Sequence, residues 1–437
     1  MLTLLSADGA VSRTPLNDTP GYTKPIEGLR SRVAYAAAHV VPVVWGDNTP
    51  GRPAEIDWDS TLDFRRSVYS WGLGVADAMD TAQRNMGLDA AATRELISRS
   101  AHVAREEGGS VVVGVNTDHV EAEHISLDEV IDAYKQQLHF TEEQGAGPVL
   151  MASRHLARVA ETAQDYRRVY REVLQSATVP VVLHWLGTAF DPSLEGYFGS
   201  TDWRDASAVL LEIIADNPGK VSGVKMSLLD AASEVSVRER LPEDVRMFTG
   251  DDFNYVGLIG GDTVAGLPSA AEPGSSVPES GSSVPDPGSS VPEPGSSVPE
   301  PVEGSTSSAT GKGYSDALLG AFAALTPVAS AAIQALDAGD PARYLEILGP
   351  TEELSRQVFA APTFYYKTGV AFLAWLNGHQ RAFQMVGGLH SARSLPHLSR
   401  IVELANSAHA LEKPELAAIR WHGMLRTNGV DVPGVIL

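Results

Sequence analysis

Cysteine is absent from this chain of 437 residues. Disulfides, thiolate nucleophiles, cysteine zinc sites and iron–sulfur clusters are therefore excluded. Long apolar runs are also missing, since no stretch approaches the roughly 20 residues that a membrane-spanning helix needs. The first eight residues, MLTLLSAD, lack the basic region of a signal peptide. We therefore expect a cytoplasmic protein with no membrane partner.

Positive charge is scarce as well. The chain has 33 lysines and arginines against 55 aspartates and glutamates, a formal net charge of −22. A nucleic-acid partner requires a basic face, and none is visible in the sequence, so we expect no nucleic-acid partner. The hydrophobic content of 43% predicts a globular protein with a large core. Its length fits one large barrel with additions, or two medium domains.

One segment has almost no apolar side chains. Residues 274–301 read GSSVPES, GSSVPDP, GSSVPEP and GSSVPEP, a seven-residue unit with proline in every copy. Proline prevents a continuous helix, which excludes a coiled coil despite the period of seven. So little apolar area cannot offset the entropy of ordering the chain. The sequence predicts a disordered linker over residues 263–312, without a catalytic role.

Before this linker, apolar runs alternate with amphipathic segments. The runs are continuously apolar, which is typical of parallel strands covered by helices. Strands are predicted at residues 39–45, 75–80, 110–116, 147–152, 179–185, 221–227 and 245–252. Helices are predicted at residues 59–71, 89–107, 126–144, 162–176, 202–216 and 229–240, with Asp59, Asp89, Ser126 and Asp202 as N-caps or first-turn residues. Repeated β-then-α units predict an α/β fold, a (β/α)8 TIM barrel.

The barrel predicted in this way is interrupted and then extended. We expect an N-terminal segment at residues 1–34, strands one to seven within 35–262, and the end of the barrel at 313–350. The eighth strand is predicted to begin within or to include residues 313–316, which places the linker on the face opposite a barrel's active site. C-terminal helices are predicted within 351–437, at 351–360, 365–377, 398–410 and 414–426. The aromatic stretch 364–375 is expected to cover the barrel's flank, or alternatively to form the interface of a homo-oligomer.

Polar side chains follow the predicted strands, and barrel enzymes build their sites at such strand ends. Lys225 ends the sixth strand, where a buried amine can lose its proton and attack a carbonyl. His184 ends the fifth strand. The other candidates are expected to bind the substrate: Asp80, Thr81, Gln83, Asn116, His155, Asp251 and Asp252.

These motifs resemble those of the dihydrodipicolinate synthase and N-acetylneuraminate lyase superfamily. Residues 221–230, VSGVKMSLLD, are similar to the sixth-strand motif GIK(D/E)SSGD, whose lysine forms a Schiff base. Residues 179–187 resemble the fifth-strand LPVILYNVP, while 56–59 and 248–252 match IDW and GDD. The resemblance spans residues 35–400 in order and is strongest toward a dihydrodipicolinate-synthase-like branch. It implies a class I aldolase-like lyase with Lys225 as the Schiff-base residue and without a cofactor.

The chain departs from the superfamily's pattern at two positions. The second-strand GTTGE motif, whose threonines hold the carboxylate of pyruvate, is replaced by MDTAQ at residues 79–83. Asp80 would repel a substrate carboxylate, whereas it accepts hydrogen bonds from hydroxyl groups. His184 replaces the fifth-strand tyrosine that relays protons, and histidine can do so near neutral pH. We therefore expect a keto-sugar or keto-polyol as the small-molecule substrate, oriented by Asp80 and Thr81.

Two other interpretations stay open. His119, Glu121, Glu123 and His124 follow the third strand and are ligand types that suit Zn, Mn or Mg. They would favour a metal-dependent isomerase or class II aldolase, although their spacing is not HExxH. The third possibility is a barrel without catalytic activity.

Overall fold

The computed structural model describes residues 1–267 and 313–432. Residues 268–312, which hold most of the predicted linker, lie outside the described residues. Eight parallel strands form a closed barrel in the order of the chain, so the predicted TIM barrel is confirmed. A separate hairpin, β1 (Leu2–Leu5) and β2 (Val11–Thr14), precedes it. The barrel strands are β3 (Ala34–Ala37), β4 (Gly74–Asp77), β5 (Val111–Val115), β6 (Gly147–Met151), β7 (Val181–Leu186), β8 (Val221–Ser227), β9 (Arg246–Thr249) and β10 (Asp316–Leu319).

Helices follow each barrel strand and continue after the last one. The barrel helices are α1 (Trp58–Ser70), α2 (Ala90–Glu107), α3 (Leu127–Glu143), α4 (Arg154–Val159), α5 (Ala163–Ser176), α6 (Trp203–Asp216), α7 (Ala231–Arg240), α8 (Tyr255–Gly260), α9 (Ala321–Ala324) and α10 (Thr326–Asp337). The C-terminal extension contains α11 (Pro341–Leu348), α12 (Thr351–Val358), α13 (Tyr366–Leu376), α14 (Leu395–Ser407) and α15 (Pro414–Thr427).

The N-cap predictions are confirmed. Asp89 and Asp202 accept hydrogen bonds from the first turns of α2 and α6, and Ser126 forms a reciprocal capping box at α3. Asp59 lies in the first turn of α1, which Asp57 caps. Short polar side chains satisfy the free N–H groups of a helix start, which is why these boundaries could be predicted.

The barrel interior is filled by side chains of alternating strand residues. Glycines on two strands leave room for rings from their neighbours: a Cβ at Gly74 would lie 2.5 Å from the ring of Tyr35, and one at Gly223 would lie 2.7 Å from that of Phe248. These two rings, with centroids 6.1 Å apart, lie near the end of the barrel from which the strands start, where both line a cavity of about 560 Å³. The opposite end, where the strands finish, is left for polar side chains.

The prediction for the first barrel strand was wrong. The strand is β3 at Ala34–Ala37, not residues 39–45. Residues 41–43 instead pair antiparallel with residues 55–57, through Asp57 N to Val41 O (2.8 Å) and Val43 N to Glu55 O (2.8 Å). Pro42 has no N–H to donate, so this run suits a loop at the barrel rim better than a central ladder.

The two ends of the chain share one packed layer. The backbone of Thr3 accepts a hydrogen bond from Trp421 Nε1 (2.7 Å) and donates one to His422 Nε2 (3.1 Å), both on α15. Leu5 N donates to Ser399 Oγ on α14 (2.7 Å). The hairpin is therefore an integral part of the C-terminal helical layer.

The described flanks of the insertion lie close together. Asp262 N donates to Gly313 O at 2.8 Å, between α8 and β10. The chain order thus places the insertion between the seventh strand's helix and the eighth strand, as predicted. Across residues 1–267 and 313–432, no helix combines the length and apolar character required to cross a membrane.

Candidate active site

Lys225 lies inside the barrel near the end of β8 and is 8% exposed. The strand register places His184 beside it on β7 and Phe248 beside it on β9. Gly250 leaves space for the lysine, because a Cβ there would lie 2.8 Å from Lys225 Cε and 2.2 Å from Ser227 Oγ. The predicted nucleophile is therefore held in a tightly packed interior position.

Two carboxylates act on the amine of Lys225. Burial lowers the pKa of Lys225, while the charges of Asp80 and Asp252 oppose that shift. Asp252 follows β9, and its Oδ1 accepts a hydrogen bond from Ala321 N (2.9 Å). Burial raises the pKa of Asp252 to about 8. Both shifts favour the uncharged forms, as expected for an amine and a carboxyl group in a poorly solvated interior.

His184 is buried in the barrel, and its Nε2 lies 3.2 Å from Ser227 Oγ. Burial, followed by the charge of Lys225, lowers the pKa of His184 well below its ordinary value. The neutral imidazole is therefore favoured. Its Nδ1 has no hydrogen-bond partner in the part of the chain that the structure describes. The ring is in place beside the lysine, and its proposed proton transfer stays a prediction.

Asp80 and Thr81 form a short turn after β4, in the 3-10 segment Asp80–Ala82. Thr81 Oγ1 lies 2.8 Å from the hydroxyl of Tyr366, the first residue of α13. Tyr366 is 4% exposed, and burial raises its pKa well above the ordinary value, with Asp80 adding to the shift. The C-terminal extension thus reaches the same strand ends as Lys225.

A second buried lysine, Lys367, stands next to this tyrosine. Its Nζ donates to Phe364 O (3.0 Å) and lies 4.5 Å from the centroid of the Tyr366 ring. Burial lowers the pKa of Lys367 to about 8, whereas the charge of Asp80 opposes the shift. Asp80 is therefore a charge partner of both buried lysines.

A cleft of about 280 Å³ opens beside Asp80 at the ends of β5 to β7. Three predicted residues line it: Asp80, Asn116, whose Oδ1 accepts from Thr117 N (2.7 Å), and His155. The nitrogens of His155 contact Thr117 Oγ1 (2.8 Å) and Ala122 O (3.0 Å), so its ring is fixed by the protein itself. The remaining lining residues are Asn85, Thr117, Asp118, Val120, Glu121, Glu123, Met151, Ala152, Arg154, Arg158, Leu186 and Asp191.

Two of the predicted binding residues make structural contacts. Gln83 Nε2 donates to Val386 O (2.8 Å), and its Oε1 accepts from Val386 N (3.2 Å), which ties the turn to the C-terminal extension. Asp251 accepts from Phe253 N (2.9 Å) and from Asn254 Nδ2 (2.8 Å) and so shapes the turn before α8. Of the two adjacent aspartates, Asp252 is the one that acts on Lys225.

Sequence reasoning missed Ser227, Tyr366 and Lys367 as site residues. Tyr366 and Lys367 belong to the stretch 364–375, which we expected to cover the barrel's flank or an oligomer interface. A signal was available, because Lys367 is the single charged residue in that apolar stretch. Lysine is rarely fully buried unless its amine is paired, so a lysine within an apolar stretch points to a role beyond packing.

The residues of the metal alternative do not converge. Within residues 1–267 and 313–432, no three His, Asp or Glu side chains are grouped closely enough to hold a metal ion. His119 contacts Gln136 and Gln137 instead. The geometry therefore gives the metal-dependent interpretation no support.

The closed eight-stranded barrel is the fold of solved dihydrodipicolinate synthases. The enzyme from Aquifex aeolicus is 14% identical, with a TM-score of 0.55 over 87% of this chain and 99% of its own. The enzyme from Bacteroides thetaiotaomicron is 13% identical, with a TM-score of 0.56 over 90% of this chain and 100% of its own. That from Thermotoga maritima is 12% identical, with a TM-score of 0.55 and coverages of 87% and 100%.

At identities this low the structural similarity shows a shared fold alone, and it confirms the fold that the resemblance implied. The sequence profile described as "Protein of unknown function (DUF993)" matches residues 2–270 and 299–430. The chain therefore belongs to the DUF993 family. A comparison with curated proteins finds no match.

Proposed function

We propose that this protein is a Schiff-base-forming lyase, of aldolase or dehydratase type, that acts on a small hydroxylated ketone. The observation that carries the proposal is the buried amine of Lys225 at the barrel mouth, with the carboxyl groups of Asp252 and Asp80 acting on it. The fold shared with dihydrodipicolinate synthases supports the same reaction class. We retain cytoplasmic location and homo-oligomer formation as predictions.

The amine and carboxyl group of the site suit the formation of an imine. Neutral Lys225 attacks the carbonyl carbon, a C–N bond forms, and the oxygen becomes the hydroxyl of a carbinolamine. Asp252, whose raised pKa keeps its proton near neutral pH, gives that proton as the C–O bond breaks and water leaves. The products are an iminium cation and a carboxylate beside it. Opposite charges thus appear together in the interior, where their attraction is strong.

The charge around the cleft favours a substrate with hydroxyl groups over a 2-keto acid. Asp80 lines the cleft that holds Asn116 and also acts on Lys225, and it would repel a substrate carboxylate. Its oxygens accept hydrogen bonds, as does Asn116, while Thr81 offers a hydroxyl group. The cleft volume of about 280 Å³ is near the lower end for small-molecule sites, which start at about 300 Å³. We therefore propose a keto-sugar or keto-polyol as the substrate.

Borohydride trapping tests this proposal. The protein is incubated with dihydroxyacetone, with larger keto-sugars or with pyruvate, reduced with borohydride, and analysed by intact mass and peptide mapping. We expect an adduct on Lys225 with the hydroxylated ketones and much less with pyruvate. Lys225→Met should abolish the adduct. Lys24→Met is the control, because it removes an exposed lysine away from the strand ends and should leave the adduct in place.

Several outcomes would contradict the proposal. The lyase assignment fails if no carbonyl compound gives an adduct on Lys225, or if Lys225→Met traps as much as the wild type. A stronger adduct with pyruvate would reject the proposed substrate class alone. Activity that EDTA removes and a divalent metal restores would favour the metal-dependent alternative.

A further inference from the structure

We propose that Tyr366, a residue of the C-terminal extension, exchanges protons with the substrate at the carbon next to the Schiff base. The proposal rests on the proposed function, because it assigns a second group to the site of Lys225. Lys225 and Tyr366 are far apart in the sequence, and the fold brings both to the ends of the barrel strands.

The phenol of Tyr366 is held in one place by its neighbours. Its ring stacks on Phe359, with centroids 4.3 Å apart and planes 12° apart, and it meets Phe190 edge to face at 5.9 Å. The hydroxyl lies 2.8 Å from Thr81 Oγ1. Contacts on both the ring and the hydroxyl leave the side chain little freedom. Such fixed geometry is what a proton-transfer group needs.

A glycine at the end of the eighth strand allows the ring into the barrel mouth. A Cβ at Gly320 would lie 3.0 Å from Tyr366 Cε2 and 3.0 Å from Phe359 Cζ, which is tighter than ordinary contact. The same Cβ would be 3.5 Å from Thr81 Oγ1. The tyrosine therefore lies across the ends of β10 and β4, inside the ring of strand ends and not on the barrel's flank.

The phenol and the amine of Lys225 face the same two carboxyl groups. Asp80 and Asp252 act on Lys225, and both also disfavour ionisation of Tyr366 after burial has done so. Burial thus raises the pKa of Tyr366, and the phenol stays protonated. A protonated phenol can relay a proton without forming a phenolate, because it gives its own proton as it receives another.

Every proton in this relay is accounted for when Asp80 is the final proton acceptor. The C–H bond next to the iminium carbon breaks, and its electron pair becomes the double bond of the enamine. The proton passes to the oxygen of Tyr366, and the phenolic proton passes to the hydroxyl of Thr81, 2.8 Å away, which gives its own proton to the carboxylate of the adjacent Asp80. In the reverse direction the enamine carbon is protonated. His184 is less suited to this step, because its Nε2 contacts Ser227 and burial lowers its pKa well below the ordinary value.

Hydrogen–deuterium exchange separates this step from imine formation. Dihydroxyacetone in D2O is incubated with the full-length protein, and loss of its carbon-bound hydrogen signal is followed by NMR beside borohydride trapping. Wild type should give both exchange and a Lys225 adduct. Tyr366→Phe should lower the exchange rate about 100-fold, the lower range for loss of a general acid–base group. Its adduct should stay within about threefold of wild type, which also shows that the variant folds.

The neighbouring Tyr365→Phe variant is the matched control, because Tyr365 precedes α13 and packs on Phe364, with ring centroids 4.5 Å apart. It should change neither measurement. Thr81→Val, which removes the hydroxyl that contacts the phenol, should lower the exchange rate relative to the amount of adduct formed. If Tyr366→Phe exchanges as fast as wild type while it traps normally, the role of Tyr366 is rejected and the lyase proposal stands. If wild type forms no adduct on Lys225, both proposals fall.

Discussion

We expect that adding one methyl group at Gly250 leaves the barrel folded but slows the reaction of Lys225. An alanine Cβ there would lie 2.2 Å from Ser227 Oγ, 2.8 Å from Lys225 Cε and 2.8 Å from Met226 O. The first two belong to side chains that can rotate. The third belongs to the backbone of β8, and Met226 O accepts the hydrogen bond of Gly250 N at 2.7 Å. The strands cannot separate without losing that bond.

The size of the effect follows from these distances. Carbon atoms in contact stay about 3.5–4.0 Å apart, so Lys225 Cε must move by about 0.7 Å or more. Overpacking of this kind costs about 1–3 kcal/mol of stability, which a protein of this size tolerates. A displacement of about 1 Å at a reacting group can cost about 100-fold in rate. We therefore expect Gly250→Ala to fold and to trap dihydroxyacetone about 100-fold more slowly.

Urea unfolding and the initial rate of borohydride trapping measure the two effects separately. The control is Gly257→Ala, at an exposed position of α8 where an added Cβ meets nothing within 4 Å. That variant should trap normally and be unchanged or more stable by about 0.5–1 kcal/mol, since alanine suits a helix better than glycine. A Gly250→Ala protein that traps Lys225 at the wild-type rate would refute the packing argument.

Three further predictions concern charge and burial. Burial raises the pKa of Glu234 to about 8, so the folded protein keeps a proton that the unfolded chain loses above about pH 4. The free energy of unfolding should fall between pH 5 and 8 by up to about 1.4 kcal/mol per pH unit. In urea unfolding, Glu234→Gln should show a weaker decline with pH than the wild type, and equal declines in the two proteins would contradict this. Asp118 pairs with the buried Arg84 (2.6 Å), so Asp118→Asn should lower the free energy of unfolding by about 3 kcal/mol. Glu121→Gln, at an exposed position, should lower it by less than about 0.5 kcal/mol. Similar unfolding midpoints for the two variants would contradict this prediction. Because burial lowers the pKa of Lys225, cyanoborohydride trapping should reach half its maximal rate at a lower pH than free lysine does; an unshifted profile would show a solvated amine.

The barrel was predictable because its signal repeats. Continuous apolar strands and short polar N-caps such as Ser126 recur along the chain. An error in the bounds of one element therefore does not change the number of predicted β–α units. The first strand was misplaced because Ala34–Ala37 is rich in alanine, which favours helix, whereas residues 39–45 have β-type composition. Tertiary pairing decided between the two segments, and local propensity could not.

The site was predictable only in part, for a geometric reason. Strand ends locate Lys225, His184 and Asp80, because the chain order of a barrel fixes where strands finish. Which of Asp251 and Asp252 turns inward depends on the turn after β9, and the sequence does not encode that visibly. Tyr366 comes from a helix more than a hundred residues after Lys225, and its approach depends on packing against Phe359. Such contacts leave no periodic pattern.

The position of β10 in the chain has a consequence for synthesis. Because β10 pairs with both β3 and β9, a nascent chain that ends before residue 316 carries seven strands with two unpaired edges. Open edges of this kind are sites of wrong pairing and aggregation. The barrel can close only after the insertion has been translated, and Tyr366 follows later still. Folding during translation should therefore need protection of the β3 and β9 edges, and premature truncation should yield insoluble protein.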